Sequence, residues 1–206
     1  MKPRVKICGI TNKEDALLCA HAGADALGFI FYPKSPRYID PMKAKMIIDT
    51  LPPFVTPVGV FVNEQRERIN QIISISGIRA LQLSGDEKSE DCENYPIDVI
   101  KAFRIRDKSD FEYVKQYPVS AVMLDGADKD TYGGSGTLAD FSIAVELKKY
   151  FLLILSGGLS PDNITDAVNR IHPYAIDINS GIEHSPGHKD HHNVRLLFER
   201  LHQIEE

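Results

Sequence analysis

Leu152-Leu153-Ile154-Leu155-Ser156-Gly157-Gly158-Leu159-Ser160-Pro161 is the stretch on which the fold turns. Its first four residues form an apolar run with no polar alternation, as expected of a strand covered on both faces. The paired glycines make a tight turn, and Ser160-Pro161 reads as a helix start, a capping hydroxyl followed by proline at the first helical position. The unit is strand, turn, helix. Outward from it the same unit recurs along the chain. Strand-like runs fall at residues 5–10, 26–31, 57–62, 80–83, 99–104, 121–125, 152–156 and 175–179. Helical segments follow each. Thr11-Asn12-Lys13-Glu14 has the form of a capping box. Asp40-Pro41 opens a second helix that Pro52-Pro53 ends, and others are expected near 64–74, 87–94, 108–117, 138–150, from Ser160 onward, and at 190–202.

Eight strands strictly alternating with eight helical segments mean parallel strands with helices outside. An open doubly wound sheet would satisfy the alternation, but eight units favour closure into a (β/α)8 TIM barrel, an α/β fold. The even strands share a plan, beginning at Ala26, Ala80, Ala121 and Ala175 with spacings of 54, 41 and 54 residues, which suits a barrel of four double units. Residues 1–206 read as one domain, since no linker, low-complexity run or charge block divides them. The length is near-minimal for such a barrel, for which ~250 residues is typical and ~200 the lower edge.

Composition narrows the function. A net charge of −5, 43% hydrophobic and 26% charged residues are ordinary for a globular protein and argue against a nucleic-acid partner. No apolar run reaches the ~18 residues of a membrane helix, and the start lacks the apolar core of a secretory signal. The three scattered cysteines form neither a disulfide framework nor a zinc pattern, so a reduced, cytoplasmic protein is expected.

Barrel chemistry sits at the C-terminal strand ends. There the sequence offers Cys8 after strand one, Ser84-Gly85-Asp86 after strand four, Asp125 after strand six, Ser156-Gly157-Gly158 after strand seven and Asn179-Ser180-Gly181 after strand eight. Glycine turns with exposed N–H groups after the last two strands suit a phosphate. Cys8 is by placement alone a small hydrophobe, as are Cys19 and Cys92; as a base it needs a positive field to ionise. Asp125 ends an apolar strand, where a carboxylate needs a partner or a task. Asp177 lies within strand eight and by alternation points into the barrel, either as a structural carboxylate or as support for the site. Arg37, after strand two, has the fork that suits a substrate carboxylate. Tyr132-Gly133-Gly134-Ser135-Gly136 reads as a lid or a loop close to ligand; it lacks the ending of a Walker loop. His184, His188, His191 and His192 crowd together without metal-ligand spacing and read as a solvated polar stretch, so no metal is expected.

Three strings carry a resemblance: Lys6-Ile7-Cys8-Gly9-Ile10-Thr11, the segment 28–38 from Gly28 to Tyr38, and Asp177-Ile178-Asn179-Ser180-Gly181-Ile182-Glu183. With residues 58–63, Leu81-Gln82-Leu83, Leu124-Asp125, the glycine loop and Leu155-Ser156-Gly157-Gly158-Leu159, they make the chain resemble the phosphoribosylanthranilate isomerases of tryptophan biosynthesis. The resemblance implies a cofactor-free Amadori rearrangement of a phosphorylated small molecule by a monomer or homodimer. It implies Cys8 as general base, Asp125 as general acid, Arg37 on the anthranilate carboxylate, Gly157, Gly158, Ser180 and Gly181 on the phosphate, and Asp177 in support. Two positions depart from the family pattern: Ser84 stands where a histidine is common, and Thr137 where a lysine is common. Losing either cation would lower the thiolate population or loosen the grip on ligand. A lyase of the same barrel group, such as indole-3-glycerol-phosphate synthase, would need a lysine acid and strand-end glutamates; Lys101 and Glu183 are its only loose candidates. A barrel that binds phosphorylated ligands without turning them over has only Ser84 and Thr137 in its favour.

Overall fold

The computed structural model describes residues 2–105, 108–126 and 141–204. The glycine loop at 132–136, Thr137 and the expected beginning of the 138–150 helix lie outside the described residues. Eight parallel strands close into a barrel in chain order: β1 (Arg4–Ile7), β2 (Ala26–Ile30), β3 (Thr56–Phe61), β4 (Ala80–Leu83), β5 (Asp98–Phe103), β6 (Ala121–Leu124), β7 (Leu153–Leu155) and β8 (Ala175–Ile178). Closure comes from β1 pairing with β8 in the register Arg4↔Ala175, Val5↔Ile176, Lys6↔Asp177 and Ile7↔Ile178. The four even strands begin at the four alanines of the repeat.

Three apolar regions follow from the pleat. Residues facing outward, such as Ile7, Leu27, Leu81, Val122, Leu153 and Ile176, join the helices in one large core. Inside the barrel a small cluster of Ala121, Met123, Ile154 and Ala175 fills the lower interior. Higher up, Cys8, Ile30 and Val60 form a third cluster with Tyr32 against it, and share the upper interior with polar residues and the site.

The helices on the described residues are α1 (Lys13–Ala22), α2 (Pro41–Ile48), α3 (Arg66–Ser76), α4 (Phe111–Val114), α5 (Phe141–Leu147), α6 (Ile164–Ile171) and α7 (His191–His202). Asp40 caps α2 as expected, its Oδ1 accepting from the N–H groups of Met42 at 2.9 Å and Lys43 at 3.2 Å, with Pro41 in the first turn. The helix stops well before Pro52, because the Thr50 hydroxyl takes up the Ile47 carbonyl at 2.8 Å and turns the chain. At α1 the cap is Asn12 rather than Thr11. The Asn12 carbonyl oxygen accepts from Asp15 N–H at 2.8 Å, while Thr11 donates its hydroxyl to the distant Gly187 carbonyl. The expected helix at 87–94 is only a 3-10 turn, Ser89–Cys92, and that at 108–117 shrinks to a 3-10 turn followed by α4. Helix α6 starts at Ile164, after a turn in which Asn163 bonds Ser160 N–H and the Gly158 carbonyl. Between β8 and α7 runs an unexpected hairpin of β9 (Glu183–Ser185) and β10 (His188–Lys189).

Replacing Asp40 by alanine leaves two first-turn N–H groups of α2 without their acceptor. Urea unfolding is expected to show a loss of about 1 kcal/mol.

Candidate active site

At the C-terminal end of the barrel lies a cavity of about 830 Å3 including its open mouth, within the range of small-molecule sites. Cys8, Arg37, Asp125, Gly157, Gly158, Asp177 and Ser180 all line it. Residues as far as 172 positions apart in sequence thus meet because all follow, or belong to, the upper ends of strands.

Its floor is ionic. Lys6 and Asp177 face each other across the β1–β8 seam, 4% and 6% exposed, with Nζ 2.8 Å from Oδ1. Ser156 adds a hydroxyl 3.3 Å from the other carboxylate oxygen. Alternation puts Cys8 on the same inward face as Lys6, one step nearer the mouth. Burial pushes the Cys8 thiol up and Asp177 adds to this; the Lys6 and Lys189 cations pull it down without reversing the result. Gly28 makes the room: a Cβ there would stand 2.8 Å from Cys8 Sγ and 3.0 Å from Lys6 Nζ.

Asp125 enters from β6, three strands round the barrel from β1. Burial raises its carboxyl above the ordinary range and nearby Asp177 helps, while Arg104, the Gly126 N–H and Lys6 oppose. The group therefore keeps its proton to a higher pH than a solvated aspartate, as a general acid requires.

The glycine turns have the shape for an anion. Gly157 and Gly158 adopt φ of +85° and +63°, a region where side chains are strained. A Cβ on Gly157 would collide with the Gly126 backbone, and one on Gly181 with the Leu159 carbonyl. Among the described residues, the N–H groups of Gly157, Gly158, Ser180 and Gly181 have no acceptor, and three of these four residues line the cavity. Gly181 sits behind Ser180.

Arg37 reaches the cavity already engaged. Its Nε donates to both Glu183 oxygens, at 3.0 and 2.9 Å, and its Nη2 to Oε2 at 2.6 Å. Lys189 completes the cluster, 2.9 Å from Glu183 and 3.1 Å from Asn179 Oδ1. Burial works to raise the Glu183 carboxyl, but the Arg37 and Lys189 bonds and charges outweigh it and hold it low. Lys101 is held by Glu87 at 3.2 Å and by the Gly85 and Ala102 carbonyls. Neither Lys101 nor Glu183 lines the cavity, which removes the footing of the lyase reading.

Sequence reasoning assigned no role to Lys6, Gln82, Tyr32 and Lys189. Lys6 was the most accessible of these, since a charge two residues before Cys8 in a strand must share its face. His191 bonds Asp15 at 2.9 Å, and His184 and His188 pack ring to ring at 5.8 Å. Among the described residues no cluster is able to hold a metal ion.

Gly28→Ala is expected to displace the thiol and the ammonium and to lower kcat/KM by about a hundredfold while circular dichroism stays unchanged, since small misplacements of reacting groups cost about that much.

Residues 5–200 match the family model described as N-(5'phosphoribosyl)anthranilate (PRA) isomerase. An N-(5'-phosphoribosyl)anthranilate isomerase of Geobacter metallireducens is 46% identical over 197 residues, covering 96% of this chain and 98% of that one. The crystal structure of phosphoribosyl anthranilate isomerase from Thermotoga maritima superposes with a TM-score of 0.89 at 42% identity, over 97% of this chain and 98% of the other. A phosphoribosyl anthranilate isomerase in complex with reduced 1-(o-carboxyphenylamino)-1-deoxyribulose 5-phosphate superposes at 0.85 with 41% identity, over 97% and 98%.

Proposed function

The chain belongs to the N-(5'-phosphoribosyl)anthranilate isomerase family, and from that premise we propose that Cys8 and Asp125 are the base and acid of its Amadori rearrangement. The protein is an isomerase of tryptophan biosynthesis. The observation that carries the assignment is the meeting of one thiol and one proton-holding carboxyl in a single cavity, on strands β1 and β6.

Asp125 gives its proton to the ribose ring oxygen as the C1–O bond breaks, and the anthranilate nitrogen lone pair forms an iminium. The Cys8 thiolate takes the proton from C2, and those electrons neutralise the iminium to an enolamine. Proton transfer from the C2 hydroxyl to C1 then yields the ketone. The net change is isomerisation alone. The N–H groups of Gly157, Gly158, Ser180 and Gly181 hold the phosphate, as unpaired donors at glycine turns do. Arg37, with Nε and Nη2 fixed by Glu183, turns its remaining donors to the anthranilate carboxylate. Asp177 is committed to Lys6 and Ser156, so it supports the site from below the substrate. Ser84 accepts from Gln82 at 3.0 Å; its departure from the family pattern leaves acid and base in place.

Cys8→Ala and Asp125→Asn should each lower kcat by roughly 10²- to 10⁴-fold, the usual contribution of a positioned acid or base. The readout is the decay of anthranilate-type fluorescence on adding enzymatically made substrate. Turnover like that of the unaltered protein in either variant overturns that residue's role.

A further inference from the structure

We propose that Lys6 is the positioning residue for Cys8: its ammonium, clamped by Asp177 and given room by Gly28, supplies the cationic field that eases ionisation of the Cys8 thiol. This rests on the reading of Cys8 as the base. The geometry has three parts. Lys6 is buried and its charge is fixed at 2.8 Å by Asp177, so the cation cannot swing away into solvent. Thiol and ammonium converge on the space above Gly28, where a single added carbon would touch both. Lys6 stands two residues before Cys8 on one strand face, so the backbone holds the pair together.

The charges facing Cys8 come from several elements. Lys6 is on its own strand, Asp177 on β8, and Lys189 on β10; Asp125 and Arg37 line the same cavity from β6 and from the segment before α2. Asp177 opposes the thiolate, while Lys6 and Lys189 favour it, Lys6 the more strongly of the two. Lys6 remains protonated throughout: the C2 proton passes to sulfur, and the ammonium changes only the ease with which sulfur carries the negative charge beforehand.

The two members of the ion pair therefore have opposite effects on the thiol. The experiment is the rate of Cys8 alkylation by iodoacetamide as a function of pH, with the modified cysteine identified by peptide mapping. Burial raises all three thiols, Cys19 to about 12 and Cys92 to about 11, so the peptide map is what assigns the signal to Cys8. Lys6→Met should slow Cys8 alkylation at pH 7 by at least about tenfold, the effect of removing one adjacent opposite charge. Asp177→Asn should speed it, and Lys6→Arg should stay near the unaltered protein. Should Lys6→Met alone not fold, the uncharged pair Lys6→Met/Asp177→Asn, measured against Asp177→Asn, carries the same tenfold slowing. An unchanged alkylation profile in the folded Lys6→Met protein, or in the double variant relative to its parent, overturns the proposal. Turnover retained in Cys8→Ala would instead overturn the role of Cys8 as base and leave the alkylation result standing.

Discussion

The buried pair of Lys6 and Asp177 is the interaction on which the upper barrel depends. It joins the first strand to the last, 171 residues apart, at the seam that closes the sheet. Removing two charges from water costs several kcal/mol each, and an apolar pair of the same size would often hold as well or better. Stability alone is therefore a weak reason for it. The lower interior shows the alternative: there Ala121, Met123, Ile154 and Ala175 fill the same kind of space with no charge at all. Ionic filling begins where the strands approach the cavity, where it sits beside the apolar cluster of Cys8, Ile30 and Val60.

A second set of bonds fixes the roof from the far end of the chain. The hairpin of β9 and β10 sends Glu183 to Arg37, Lys189 Nζ to Glu183 and Asn179, and Lys189 N–H to Asp15 at 2.9 Å. Thr11 adds its hydroxyl to the Gly187 carbonyl. Four segments, the loop after β1, the start of α1, the loop after β2 and the turn after β8, are thus tied through one short hairpin. Arg37 is held in one orientation by this cluster, so little side-chain freedom remains to it.

The alternation of strands and helices was legible because buried parallel strands are continuously apolar and need little tertiary information. The four alanines that begin β2, β4, β6 and β8 were legible for the same reason. Strand ends then pointed to Cys8, Arg37, Asp125 and the glycine turns. What escaped was whatever depends on partners distant in sequence. Thr11 has the residue type of a cap, but its hydroxyl is claimed by Gly187 across 176 positions, and Asn12 takes over. The stretch 183–189 looks solvated because it is rich in histidine, yet it carries Glu183 and Lys189, two of the most buried charges in the molecule. Their burial is paid for by mutual pairing, which no local pattern announces.

Burial acts alike on the two groups assigned to the reaction but serves only one of them. It raises Asp125 and Cys8 both, and Asp177 reinforces each. For an acid that must arrive protonated this is an advantage; for a base that must arrive ionised it is an obstacle. A dry cavity cannot meet both demands without asymmetry in its charges. The asymmetry lies in where the cations stand. For the thiol, Lys6 is the strongest opposing influence and is close enough to share the space above Gly28. For the carboxyl, Lys6 is the weakest of the influences at work, and Arg104 opposes burial without overcoming it. Lys6 thus works harder on the thiol than on the carboxyl, although burial leaves both above their ordinary range.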